Sequence, residues 1–272
     1  MKPKDQPHIG DNPSLVISPV KAFADNYIWL LRNPGGDVAV VVDPGDEEPV
    51  LDYLQQEKLS LGGILLTHKH GDHTGGVADL LSAWPNVPVF GPAAEPIRGV
   101  TESVRGGERI SIAGLSAEFQ VMDVPGHTEG HVAYYGEGVL FCGDTLFAAG
   151  CGRVFSGTHQ QLYDALRRIA LLPPETLIYC AHEYTEANIG FARWVEPENP
   201  LIQARQEEVH RLRGVGEPTV PSTLELELET NPFMRTAVPA VVAAAARYTG
   251  RELTDGGEIF TAIREWKDRE YD

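Results

Sequence analysis

Residues 67–73 read Thr-His-Lys-His-Gly-Asp-His directly after an apolar stretch at 63–66, and this run restricts the chain more than any other. Three imidazoles and a carboxylate packed into residues 68–73 would repel one another or leave polar groups unsatisfied, unless a cation organised them. With nine histidines in 272 residues, a shuffled chain would carry the pattern about 5 × 10⁻⁴ times. A solvated His-rich turn is the plain alternative, but such clusters rarely serve packing. His and Asp are side chains that a zinc-like ion takes. A loop leaving a strand can aim alternate side chains one way and the Asp-His pair the other, which suits two adjacent ions better than one.

Further candidates stand at the ends of other apolar, strand-like runs: His127 in Pro-Gly-His-Thr, Asp144 in Cys-Gly-Asp-Thr, and His182 in Cys-Ala-His-Glu. Functional loops gather at the carboxyl ends of strands in open α/β sheets. Any one of these residues alone would read as structural; with the 67–73 run they complete two sets of donors. His131, four residues after His127, reads as a hydrogen-bonding support. His8, His159 and His210 have no partners in the pattern, and Lys69 reads as exposed.

Alternating and apolar runs predict strands at 15–20, 27–31, 38–42, 63–66, 87–90, 109–112, 118–121, 132–135, 139–142 and 176–180, with helices at 47–58, 75–84 and 160–171. After His182 the pattern turns helical, at 183–195, 200–213, 237–248 and 257–269, with a Gly- and Pro-bearing connector at 214–221. The expectation is an α+β chain in two domains, a catalytic unit at 15–183 and a helical substrate-binding unit at 184–272, behind an N-terminal extension at 1–14.

Thirty-nine acids against 22 bases give a net charge of −17, which leaves no bulk basic footprint for nucleic acid or anionic lipid. No apolar run reaches the roughly 18 residues of a membrane helix, and residues 1–14 are polar with no apolar signal core. Cys142, Cys151 and Cys180 form no Cys-x-x-Cys pair, which fits free core thiols in a reducing compartment. The expectation is a cytoplasmic monomer.

The His-x-His-x-Asp-His run with later His, Asp and His resembles the metallo-β-lactamase superfamily. Three more stretches narrow the likeness: Phe23-Ala24-Asp25-Asn26-Tyr27; Gly143-Asp144-Thr145-Leu146-Phe147 running into Gly150-Cys151-Gly152-Arg153; and Asn231-Pro232-Phe233-Met234-Arg235. Together they resemble the glyoxalase II, or hydroxyacylglutathione hydrolase, family over nearly the whole chain from about residue 15. The resemblance implies an αβ/βα sandwich with a C-terminal helical domain and a dinuclear site. His68, His70 and His127 would hold one divalent ion, Asp72, His73 and His182 the other, and Asp144 would bridge them. Zinc is the first expectation, with iron or manganese as alternatives. A metal-bridging hydroxide would attack the thioester of S-D-lactoylglutathione, releasing glutathione and D-lactate, with Asp72 orienting the nucleophile or accepting its proton.

For the glutathione moiety the resemblance points to Arg153, Phe155, Tyr184, Arg264 and Lys267. Arg153 stands where Lys is common, and Phe155 where Tyr is common, so a hydroxyl is missing. Arg264 and Lys267, three apart on the final predicted helix, would share a face near solvent and grip the glycine carboxylate. Without the resemblance the pair would read as a solvated helix face. Three rivals compete: a glutathione persulfide dioxygenase with one iron, a phosphodiesterase or nuclease that −17 disfavours, and a non-catalytic binding module that a complete donor set disfavours.

Overall fold

The computed structural model describes residues 14–271; the extension at 1–14, apart from Ser14, lies outside the described residues, as does His8. The first sheet runs in chain order: β1 (Val16–Ala22), β2 (Asn26–Arg32), β3 (Val38–Val42), β4 (Ser60–Leu65), β5 (Val89–Pro92) and β6 (Glu102–Val104). The first three strands pair antiparallel and the rest parallel. Parallel pairing needs crossovers: α1 (Glu48–Glu57) supplies that between β3 and β4, α3 (Val77–Ala83), preceded by the one-turn α2 (Gly71–Thr74), that between β4 and β5, and residues 93–101 join β5 to β6 without a helix.

The second sheet contains β7 (Arg109–Ser111), β8 (Glu118–Asp123), β9 (Val132–Gly136) and β10 (Val139–Gly143). After a small hairpin, β11 (Leu146–Phe147) with β12 (Gly150–Cys151), it continues with β13 (Leu177–Cys180) and β14 (Ser222–Thr223), in the order β14-β13-β10-β9-β8-β7. The parallel β10–β13 pair is bridged by α4 (His159–Ile169), which opens on a capping box between Thr158 and Gln161. Pro173 and Pro174 follow that helix.

Alternation within strands shows why the sheets stack. Tyr27, Trp29 and Leu31 of β2, with Val40 and Val42 of β3, face the second sheet and join Phe119, Val121, Leu140 and Phe141 in the main core. Ile28, Leu30, Ala39 and Val41 face the other way, under Val50 and Leu54 of α1 and Val77 and Leu80 of α3. Both faces of the first sheet are therefore buried, which suits its parallel half.

The tail is helical, as the sequence predicts: α5 (Thr185–Val195), α6 (Pro200–Gly214), α7 (Leu224–Thr230), α8 (Pro239–Thr249) and α9 (Gly256–Trp266), the last passing into a π-helical turn at Lys267–Tyr271. One departure is β14, which crosses back from the tail to pair with β13. The other is α7, whose Leu-Glu alternation carries no helical period; Thr223 caps it by accepting from Leu226 N–H. No helix among the described residues is long and apolar enough to cross a membrane.

Candidate active site

Four strand ends deliver the candidate donors. His68 and His70 leave β4, and Asp72 and His73 ride on α2 immediately after. His127 follows β8, Asp144 follows β10, and His182 follows β13. Gly143 lets the chain leave β10 at φ 48°, and a Cβ there would lie 2.3 Å from Thr67 Oγ1. Because these strands belong to both sheets, the donors meet at the open edge of the sandwich.

They meet as two sets. His68 Nε2 and His127 Nε2 each lie 3.0 Å from His70 Nδ1, and the donor atoms of His68, His70 and His127 all fall within 4.8 Å of one another. Asp72, His73 and His182 form a second such group, with Asp72 Oδ2 3.4 Å from both His73 Nε2 and His182 Nε2. Asp144 sits between the sets. Its Oδ1 is 3.4 Å from His73 Nε2 and from His182 Nε2, and its Oδ2 is 3.5 Å from His127 Nε2.

The outward ring atoms of these histidines are held by neighbours, which fixes which nitrogen faces inward. Asp43 Oδ2 lies 3.0 Å from His73 Nδ1, Asp25 Oδ1 2.8 Å from His182 Nδ1, the Arg153 carbonyl 2.7 Å from His127 Nδ1, and Thr67 Oγ1 3.1 Å from His68 Nδ1. Asp43 also accepts from Thr67 N–H and Oγ1, at 2.8 and 2.7 Å. Asn26 Nδ2 donates to Asp72 Oδ2 at 3.2 Å. His131 accepts from Asp144 N–H at 3.2 Å and stacks on His68, so it supports the Asp144 backbone as the sequence predicts.

Burial and the carboxylates push the ring protons of the site in opposite directions. Burial holds His68, His127 and His131 below the ordinary histidine range. Burial also works against charge on His73, but the Asp144 and Asp43 carboxylates outweigh it and raise His73 well above that range. His182 behaves alike: burial is outweighed by the Asp144 and Asp72 carboxylates beside it, and it is pushed up to about 10. The His182 and His73 rings beside it hold the Asp72 carboxyl far below the carboxylate range. His73 Nε2 and Asp144 Oδ1 are nevertheless buried without a hydrogen-bond partner. Unsatisfied nitrogen and oxygen donors aimed at one point are what a divalent ion would satisfy.

A cleft of about 480 Å³ opens over this cluster, walled by Phe147, Cys151, Arg153, Phe155, Tyr184, Asn188, Arg264 and Lys267. Phe155 is exposed and meets the His70 and His127 rings edge-on, both at 5.2 Å. Tyr184 stacks on His182 at 4.7 Å, and burial keeps its hydroxyl protonated far above the ordinary range. The substrate-binding residues expected from the sequence and five of the seven candidate donors therefore border one space, while His68 and His73 are fully buried and do not line it.

Two family models match the chain: "Metallo-beta-lactamase superfamily" over residues 23–182 and "Hydroxyacylglutathione hydrolase C-terminus" over residues 183–270. The hydroxyacylglutathione hydrolase of Nitrosomonas eutropha is 49% identical over 251 residues, covering 92% of this chain and 97% of that one. The chain belongs to the hydroxyacylglutathione hydrolase family. Among solved structures, ETHE1 from Myxococcus xanthus aligns with TM-score 0.66 at 22% identity, covering 94% of this chain and 93% of that one, a likeness of fold alone. TTHA1623 in a di-iron-bound form aligns with TM-score 0.55 at 28% identity, covering 79% of this chain and 99% of that one.

Within this hydroxyacylglutathione hydrolase family member one expectation needs correction. Arg264 and Lys267 do not lie near solvent: their exposures are 1% and 6%. The Arg264 guanidinium lies over the Phe233 ring at 5.1 Å, donates to the Cys151 carbonyl at 3.0 Å, and pairs with Asp268 at 2.9 Å. Helix α9 turns this face inward because Ile259, Phe260 and Ile263 share the same core. The cysteines are free and buried, and burial raises each thiol. Reading the sequence missed Asp43 and Glu95. The latter accepts from Lys69 N–H at 2.6 Å and Gly130 N–H at 3.1 Å, clasping the His70 and His127 loops together.

Proposed function

We propose that the chain hydrolyses the thioester of S-2-hydroxyacylglutathiones, such as S-D-lactoylglutathione, to glutathione and a 2-hydroxy acid, the second step of methylglyoxal detoxification. The observation that carries this reading is a pair of His/Asp donor sets under a cleft with buried cations, in a chain 49% identical to a named hydroxyacylglutathione hydrolase. His68, His70 and His127 would hold one divalent ion, and Asp72, His73 and His182 a second, with Asp144 reaching both. The di-iron form of the TTHA1623 relative supports two ions. Zinc is the first choice, and a purely nitrogen and oxygen donor set also suits iron or manganese. Such ions supply a water of lowered pKa and stabilise the oxyanion of the attacked carbonyl.

The chain's own groups do the rest. Asp72, kept ionised and steadied by Asn26, suits accepting a hydrogen bond from the attacking water more than storing its proton. Phe155, edge-on to His70 and His127, and Tyr184, stacked on His182, flank the donor cluster, and the protonated Tyr184 hydroxyl can donate to the bound substrate. Arg153, Arg264 and Lys267 gather positive charge for the glutathione carboxylates in a chain of net charge −17. Departure of a thiolate needs little acid help. Buried free thiols support a cytoplasmic setting, and a monomer completes the reading.

The test follows S-D-lactoylglutathione through loss of its thioester absorbance, with elemental analysis of the same sample. Oxygen-independent hydrolysis is expected. Oxygen uptake with glutathione persulfide, with the thioester untouched, would overturn the reading in favour of the one-iron oxidation.

A further inference from the structure

The β11–β12 hairpin, Leu146–Phe147 and Gly150–Cys151, joins the chemical half of the cleft to its binding half. Asp144 lies two residues before it and Arg153 two residues after. Phe147 meets His182 and Tyr184 edge-on at 5.8 and 5.2 Å, and the Cys151 carbonyl receives Arg264. A strand of two residues cannot hold such a turn by its own ladder, and Ala149 sits in the left-handed region at φ 56°.

What holds it comes from the tail. Glu227 of α7, fully buried, accepts from Ala149 N–H at 2.8 Å and Asn231 Nδ2 at 3.0 Å with Oε2. Its Oε1 accepts from Ser222 Oγ at 2.6 Å and from the buried Arg205 guanidinium. Asn231 Nδ2 also donates to the Phe147 and Gly150 carbonyls at 3.2 and 2.9 Å, and Asn188 Nδ2 to the Ala148 carbonyl at 3.1 Å. The polar backbone of the turn is thus met by three tail side chains, Asn188, Asn231 and Glu227, the last two joined to each other.

We propose that Glu227 is a positioning residue for substrate binding: by seating the Ala149 turn it sets where Phe147 and the Cys151 carbonyl stand, and so where Arg264 presents its charge. The inference rests on the glutathione thioester reading. Glu227 touches neither the candidate metal donors nor the cleft, so its influence falls on binding more than on the chemical step.

Three variants separate this role from a merely structural one, with thioester hydrolysis, thermal unfolding and metal content measured on each holoprotein. Glu227→Gln keeps an oxygen for Ala149 N–H but loses the partner charge of Arg205; its Tm should fall while KM stays within about twofold of wild type. The double variant Arg205→Met/Glu227→Leu replaces the buried ion pair with apolar side chains, an exchange often near neutral for stability. It should recover Tm relative to Glu227→Leu alone, yet raise KM roughly tenfold with kcat changed less and metal content unchanged. If KM instead follows Tm across the three variants, or the double variant keeps wild-type KM, Glu227 is only a packing element and the proposal falls. A wild type that leaves the thioester untouched would overturn the functional reading instead.

Discussion

At the scale of single residues, Asp144 is the most consequential side chain, because its two oxygens reach donors of both sets. Asp144→Ala should lower metal content and reduce kcat by on the order of 10²-fold, read by elemental analysis and initial rates. Full activity with one tightly held ion would sink the dinuclear assignment. Arg264 poses a different question. Glutathione's carboxylates keep their charge through the reaction, so Lys267→Ala should raise KM with kcat nearly kept. Arg264→Ala should raise KM too, and cost about 3 kcal/mol of stability by emptying the space over Phe233 and leaving the Cys151 carbonyl without its donor. Because the pair is buried, KM should respond only weakly to salt. The candidate donors were legible in the sequence because they are rare residue types, clustered in one loop or placed just after apolar runs. Asp43 and Glu95 were not, nor was the part Asp25 plays in holding His182. A lone acid after a strand looks the same whether solvated or buttressing an imidazole, and its partner stands far off in sequence, 157 positions in the case of Asp25 and His182.

At the scale of elements, α2 carries two candidate donors on a single turn, and a helix that short cannot hold itself. Its seat is the 43–46 loop: Gly76 N–H donates to the Pro44 carbonyl at 3.0 Å, and a Cβ on Gly45 would lie 1.8 Å from the Asp72 carbonyl. Gly45→Ala should therefore displace α2, lowering metal content and kcat together. Thr158→Ala removes one arm of the α4 capping box, at a residue that does not line the cleft. It should cost about 1 kcal/mol in urea unfolding and leave both kinetic constants alone. Long amphipathic elements such as α4 and the strands of the first sheet's centre announce themselves by periodicity. Strands β11, β12 and β14 have two residues each, too few for any period. Helix α7 reads Leu-Glu-Leu-Glu-Leu-Glu, a strand-like alternation, and folds as a helix because Thr223 caps it and Glu227 turns inward to Arg205 and Ala149.

At the scale of the whole molecule, the site is where two sheets and the helical tail meet, so what fills it contributes to holding them together. A chelator should lower Tm, and the pH dependence of that loss follows from the histidines. In the metal-free chain His73 and His182 are raised above the unfolded value by Asp144, Asp43 and Asp72, despite burial. Their protons therefore stabilise the folded state fully below about pH 6.5, and that contribution is lost as pH climbs through the folded value, about 10 for His182. His68 and His131, held neutral by burial, act oppositely: the unfolded chain takes up their protons below about pH 6.5, and stability falls on the acid side. Metal must displace the protons of His73 and His182 and is hindered less as pH rises. The gap in Tm between metal-loaded and chelated protein should accordingly widen from about pH 6.5 to 9. Differential scanning calorimetry of both forms across that range is the check, and a gap that is flat or narrows with rising pH would show that these two histidines do not carry the protons assigned to them.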